Sequence, residues 1–160
     1  MFTIAAITTV MIASMNFHQP IALFHLKGIE PNFQTAELQF NEVRHTKKSF
    51  ELRIFLNHPD ANANTNIEGN EHFAGSLYFY GQGEYLDPNG EEATLTPELD
   101  LSPGSSNTSS FPLYLDITTN LKQLVPNSSE LTVKLVAVDA HGNEINDLKL
   151  DCTSISLITN

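Results

Sequence analysis

The stretch SFELRIFLN, residues 49–57, decides the fold. Its apolar residues occupy every second position: Phe50, Leu52, Ile54 and Leu56. Because Glu51 and Arg53 stand between them, the period of two residues predicts a β-strand with one buried face. Phe55 interrupts the polar side, which indicates that the other face is partly covered too, as in the middle of a sandwich or beside a partner.

Further short segments with strand patterns lie along the chain. They are residues 21–29, 35–43, 72–81, 111–117, 131–138 and 148–158. The valine-rich segment 131–138 is apolar on both faces and predicts another central strand. Many short strands with turns between them predict an all-β fold, an antiparallel β-sandwich of about seven strands with one short helical turn.

Local signals refine this prediction. The segment TTNLKQL, 118–124, predicts the helical turn, with Thr118 or Thr119 as its cap. The sequence Asp-Ala-His-Gly-Asn at 139–143 predicts a hairpin turn. In the last strand segment, the apolar residues change from even-numbered to odd-numbered positions. One extra residue in the strand would cause this change, which predicts a bulge near Thr153 and Ser154. Residues 84–110 are rich in Pro, Gly, Ser and acidic side chains, which predicts a long exposed loop.

Composition limits the classes of partner. The 160 residues include 8 basic and 19 acidic side chains, which gives a net charge of −11. This charge repels phosphate backbones, so nucleic acid is not expected as a partner. The single cysteine, Cys152, excludes an intrachain disulfide, and stability must come from packing.

The first 20 residues form an apolar segment, and we treat residues 21–160 as the β-sandwich domain. No charged residue occurs before Lys27, and the apolar run ends near His18, short of the roughly 20 residues that a membrane span needs. No membrane span is therefore expected. The segment fits either an export signal that lacks its basic start or a first β-strand. The compartment stays open, and a secreted or periplasmic setting is compatible with the signal interpretation.

Candidate chemistry is sparse. The six histidines show neither a helical pair four residues apart nor a cysteine partner. His58, Asp60 and His72 could meet if the loop between them closes, but hydrogen bonding of the His72 ring to a loop carbonyl is the favoured interpretation. Ser76 lacks the glycine-flanked turn of a serine nucleophile. We therefore predict no catalytic, cofactor-binding or metal-binding residue in this chain.

Three blocks of sequence resemble one known family. Residues 50–84, with His-Phe-Ala-Gly at 72–75 as the core of the match, are similar to the C-terminal β-sandwich of molluscan haemocyanins and tyrosinase-like proteins. Residues 111–124 and 131–145 resemble the strand with its helical turn and the next hairpin of that domain. In the family this sandwich packs over the entrance of a type-3 copper site, which another domain holds.

The resemblance implies a non-catalytic accessory module that packs on and shields a tyrosinase-like copper domain. Copper would belong to that partner, and no cofactor is expected in this chain. Aromatic side chains and a glycine-rich turn are the expected contact surface. The candidates are Phe55, His72, Phe79, Tyr80, Gly81, Gly83 and Tyr85.

A free-standing module that binds a ligand or a carbohydrate is the alternative. Its platform would be the tyrosines on the sandwich edges, and the sequence puts Tyr78 and Tyr80 on one strand face. The candidates are Tyr78, Tyr80, Tyr85 and Tyr114.

Overall fold

The computed structural model describes residues 9–14, 21–43, 48–80, 111–146 and 154–160. These residues form eight strands and one helix. The strands are β1 (Thr9–Ser14), β2 (Ile21–His25), β3 (Ala36–Val43), β4 (Phe50–Leu56), β5 (Phe73–Phe79), β6 (Phe111–Asp116), β7 (Glu130–Val138) and β8 (Ser154–Thr159), and the helix is α1 (Thr118–Leu124). Within these residues, no helix has the length and apolar character required to cross a membrane.

The strands form two four-stranded antiparallel sheets in the orders β1-β8-β3-β6 and β2-β7-β4-β5. Apolar side chains from both sheets fill the space between them. This main core includes Phe24, Leu38, Phe40, Leu52, Ile54, Leu56, Leu131, Val133, Leu135, Ile155 and Leu157. The all-β sandwich expected from the sequence is thereby confirmed. The strand at Thr9–Ser14 comes from the apolar N-terminal segment.

Strand β4 lies between β5 and β7 and is buried on both faces over its last three residues. Leu52 and Ile54 face the main core, whereas Phe55 belongs to a second apolar cluster. Phe55 shares that cluster with Val136 and Val138 of β7 and with Ala61. Residues 57–72, which we call the strap, contribute Ala61 and so cover this outer face. The covered face that Phe55 predicts is confirmed, and its cover is part of the same chain.

Helix α1 occupies the predicted residues, but its N-terminus is held differently from the prediction. The carboxylate of Asp116 accepts the backbone N–H of Thr118 at 2.8 Å and the Thr118 hydroxyl at 2.6 Å. The same hydroxyl accepts the N–H of Ala36 in β3 at 2.9 Å. The expectation that a threonine caps the helix is therefore wrong, because the threonine hydroxyl instead ties the helix to the sheet while Asp116 receives its first N–H.

The turn at 139–143 is confirmed. The Asp139 carboxylate accepts the N–H groups of His141 and Asn143 at 2.8 and 2.9 Å, and Gly142 takes a φ of 85°. The predicted bulge begins outside the described residues, and β8 pairs regularly from Ser154 onward. The described strands have register shifts between Ile54 and Phe55 and between Phe40 and Val43. The predicted long loop at 84–110 also lies outside the described residues.

Gly75 lies where β5 approaches β6, in a backbone conformation that favours glycine. It takes a φ of +145°, and a Cβ at this position would lie 3.0 Å from Cδ1 of Leu115 in β6. Gly75→Ala is expected to lower the free energy of unfolding by about 2 kcal/mol in urea titrations, because it adds backbone strain and displaces Leu115. Gly69, with a φ of +65° and no atom within 4 Å, is the matched control. Equal losses for Gly75→Ala and Gly69→Ala would contradict a role for the contact.

Candidate interaction surface

Two of the aromatic side chains expected on the surface are buried. Phe55 is fully buried under the strap, where its ring centroid lies 5.5 Å from that of Phe73. Phe79 is 7% exposed and stacks on Phe50 in the main core, with ring centroids 4.6 Å apart. The expectation that Phe55 and Phe79 form an exposed contact stripe is wrong, because each ring already packs against another part of this chain.

Tyr80 is the aromatic candidate that the structure leaves open to a partner. It follows β5, the outermost strand of its sheet, and is 82% exposed. The alternation of the strand explains this position: Phe79 faces the core and is the last residue of β5. Gly81, Gly83 and Tyr85 lie outside the described residues, so their part in a contact surface stays a prediction.

His72 lies at the end of the strap beside the start of β5. Its Nδ1 lies 2.9 Å from the Leu56 carbonyl oxygen, so the ring does contact a carbonyl as predicted, but this carbonyl belongs to the end of β4 and not to a loop. The His58 ring approaches it edge to face, with centroids 5.6 Å apart. His58 and His72 therefore do come together, but as part of the packing at the end of the strap. His72 remains partly exposed, beside the exposed Glu71.

A polar network on the outer face of β4 and β5 was not anticipated from the sequence. The Arg53 guanidinium lies 3.1 Å from the Glu51 carboxylate and donates to the Ala63 carbonyl of the strap at 3.1 Å. The Ser76 hydroxyl donates to the other Glu51 oxygen at 2.6 Å. Opposite charges two residues apart on one strand face, as in Glu51 and Arg53, are the signal that could have revealed this pair.

The network sets the pKa of Glu51. Burial alone would raise this pKa, but the hydrogen bonds from Ser76 and Arg53 and the positive charge of Arg53 lower it below its ordinary value. A second anchor holds the same residue of the strap, because the Glu144 carboxylate accepts the N–H of Ala63 at 3.0 Å. The strap is thus attached to both β4 and the chain after the turn.

The tyrosine platform of the alternative hypothesis is divided between the two faces of the sandwich. Tyr78 pairs with Glu51 and is exposed on the outer face of one sheet. Tyr114 pairs with Gln39 and is exposed on the outer face of the other sheet. Since cross-strand partners share a face, Tyr78 and Tyr114 cannot contact one flat ligand together.

The described residues do not fit a copper centre. No group of three His, Cys, Asp or Glu side chains that could hold a metal ion occurs in the part of the chain that the structure describes. His58 and His72 form the one close histidine ring pair recorded there, and His72 Nδ1 already faces a carbonyl oxygen.

Comparisons with known proteins complete this picture. No family model matches the chain, and no curated protein is significantly similar to it. Among solved structures, the chain is similar to a recombinantly expressed latent aurone synthase, a polyphenol oxidase, with a TM-score of 0.45 and 9% sequence identity. The match covers 95% of this chain and 24% of the other, so the chain spans about a quarter of that protein.

Proposed function

We propose that this chain is a non-catalytic accessory β-sandwich that packs on a type-3 copper domain and shields its entrance. Tyr80 is the principal contact in this proposal. The sequence blocks that resemble the family support the proposal, since they become consecutive elements of one sandwich: β4, the strap and β5, then β6 with α1, then β7 with its turn. A cover over a concave site limits access of bulky phenols and of water.

The exposure of Tyr80 is the observation that carries this proposal. Large aromatic side chains are enriched at protein interfaces, where they fill pockets in the partner. At the end of an outermost strand, Tyr80 can reach into a concave surface without displacing any core residue. The net charge of −11 adds a preference for a partner whose rim is basic.

Tyr80→Ser is expected to weaken binding to a type-3 copper domain from the same source about 30-fold, as loss of an aromatic anchor worth about 2 kcal/mol does. Binding is measured by calorimetry with the purified full chain and the copper-loaded partner. In parallel, the wild-type chain should slow catechol oxidation by the partner when added in stoichiometric amounts, and the variant should do so only at higher concentration.

The matched control is Tyr114→Ser, since Tyr114 is also exposed but lies on the outer face of the other sheet. It should bind within a factor of about two of the wild-type chain. The proposal fails if the wild-type chain neither binds nor slows the partner, or if Tyr80→Ser and Tyr114→Ser behave alike.

A further inference from the structure

We propose that a second copy of this chain pairs along β1, so that the sheet β1-β8-β3-β6 continues across a two-fold axis into the same sheet of the other copy. The inference concerns self-association and goes beyond the proposed shielding role. It rests on the outer edge of β1, on its exposed apolar side chains and on its lack of charged residues.

Strand β1 is the outermost strand of its sheet. It pairs with β8 in regular register over all six residues, from Thr9 opposite Thr159 to Ser14 opposite Ser154. Its other edge faces no strand within the residues that the structure describes. Half of the N–H and C=O groups of an outermost strand point away from its neighbour, and they form a template for another strand.

The other sheet edges carry features that discourage such pairing. Strand β6 contains Pro112, which has no N–H to donate. In β5, Gly75 takes a positive φ at a register shift. Strand β2 ends at His25, which lies 3.3 Å from the Glu130 carboxylate. By contrast, β1 has the sequence TVMIAS, which contains no charged residue, proline or glycine, and its register with β8 is unbroken.

Two outward side chains of β1, those of Val10 and Ile12, are large and apolar. Ile12 is 71% exposed and Val10 is 54% exposed, although both belong to a regular strand. Ile158 of β8 lies opposite Val10 on the same face and extends the apolar strip. Aliphatic side chains grouped on an unprotected strand are typical of an interaction site.

A second copy is the partner that this strand fits. Antiparallel pairing about a two-fold axis through Met11 places Val10 of each copy opposite Ile12 of the other, so apolar residues meet apolar residues. The chain carries a net charge of −11, but none of its first 17 residues is charged. Two copies can therefore meet along β1 without placing like charges opposite each other.

The dimer leaves the shielding surface available. In the strand orders β1-β8-β3-β6 and β2-β7-β4-β5, β1 and β5 are terminal strands at opposite ends of the two orders, and β1 packs near β2. Tyr80, which follows β5, is thus on the far side from the proposed two-fold axis. Failure of self-association would not affect binding of a copper domain, and failure of that binding would not affect self-association.

Sedimentation of the purified full chain between about 1 and 500 μM tests this inference. The wild-type chain is expected to show a concentration-dependent monomer–dimer equilibrium. Ile12→Lys should raise the dimer dissociation constant at least about tenfold, because it brings two ammonium groups to one short interface. The control is Leu23→Lys on β2, another exposed aliphatic position on an outermost strand, which should leave the constant within about twofold.

Hydrogen exchange provides an independent readout. Amides in the peptide that contains β1 should exchange more slowly at high than at low concentration of the wild-type chain, and this difference should vanish for Ile12→Lys. Circular dichroism checks that both variants fold. A chain that is monomeric over the whole range, or a dimer that Leu23→Lys weakens and Ile12→Lys does not, would overturn the inference.

Discussion

Replacing Phe55 by alanine is expected to lower the free energy of unfolding by about 3–5 kcal/mol, as removal of a buried phenylalanine does. The ring is fully buried between the strap and the outer face of β4, in contact with the second apolar cluster. Its loss opens a cavity that Ala61 and Val136 can close only by moving the strap. Thermal unfolding should shift downward by roughly 8–15 °C for a chain of this length.

Tyr78→Ala is the matched control for Phe55→Ala. Tyr78 is an aromatic residue on the same outer face, but its side chain is exposed, and its loss should cost less than about 1 kcal/mol. Limited proteolysis adds a local readout, since Phe55→Ala should raise the rate of cleavage within residues 57–72 above that in the wild-type chain. If Phe55→Ala unfolds like the wild-type chain but no longer binds a copper domain, the ring is a contact residue and its assignment to the packing is wrong.

The same residue shows how far the sequence predicts this structure. The alternation at residues 50–56 is a local pattern, and it is sufficient to predict both the strand and its covered outer face. Which element provides the cover is a non-local property. The strap lacks a strand or helix period, so nothing in its sequence indicates that Ala61 packs on Phe55.

Which aromatic side chain is exposed at the end of β5 also depends on residues far away in the sequence. Phe79 and Tyr80 are adjacent aromatic residues, and the sequence does not distinguish the one that stacks on Phe50 from the one that remains in solvent. The distinction depends on the register of β5 against β4, which pairs Phe79 with Phe50. The split between Tyr78 and Tyr114 has the same origin, since it depends on which sheet each strand joins.

Removal of the Arg53 guanidinium is expected to cause the second large loss. Arg53→Met takes the positive charge away from the half-buried Glu51 carboxylate and leaves the Ala63 carbonyl without its side-chain donor. We expect a loss of about 2–3 kcal/mol at pH 7, because a partly buried carboxylate remains incompletely paired and the Ala63 carbonyl remains without its side-chain donor. Glu51→Gln keeps the shape of the network without its negative charge and should cost less.

The pH dependence of this loss identifies the ion pair as its cause. The pKa of Glu51 is lower in the folded chain than its ordinary value of 4.5, so its charge stabilises the fold above about pH 4.5 and this contribution is lost as the pH falls through the lower folded value. Asp116 and Asp139 also have lowered pKa values, from hydrogen bonds to Thr118 and to Asn143 respectively, and they add to the acid sensitivity of every variant.

A double-mutant cycle of Arg53→Met and Glu51→Gln is measured by urea unfolding from pH 7 to pH 3. The two aspartates are present in all four proteins of the cycle, so their contribution to the free energy of unfolding cancels. We expect a coupling free energy of about 1–2 kcal/mol at pH 7 that declines below pH 4.5 as Glu51 is protonated. Arg53→Lys should retain part of the coupling, since an ammonium keeps the charge but cannot reach both Glu51 and the Ala63 carbonyl with one planar group. A coupling that stays constant down to pH 3 would mean that Arg53 acts through packing and through its bond to the strap, and that its charge is incidental.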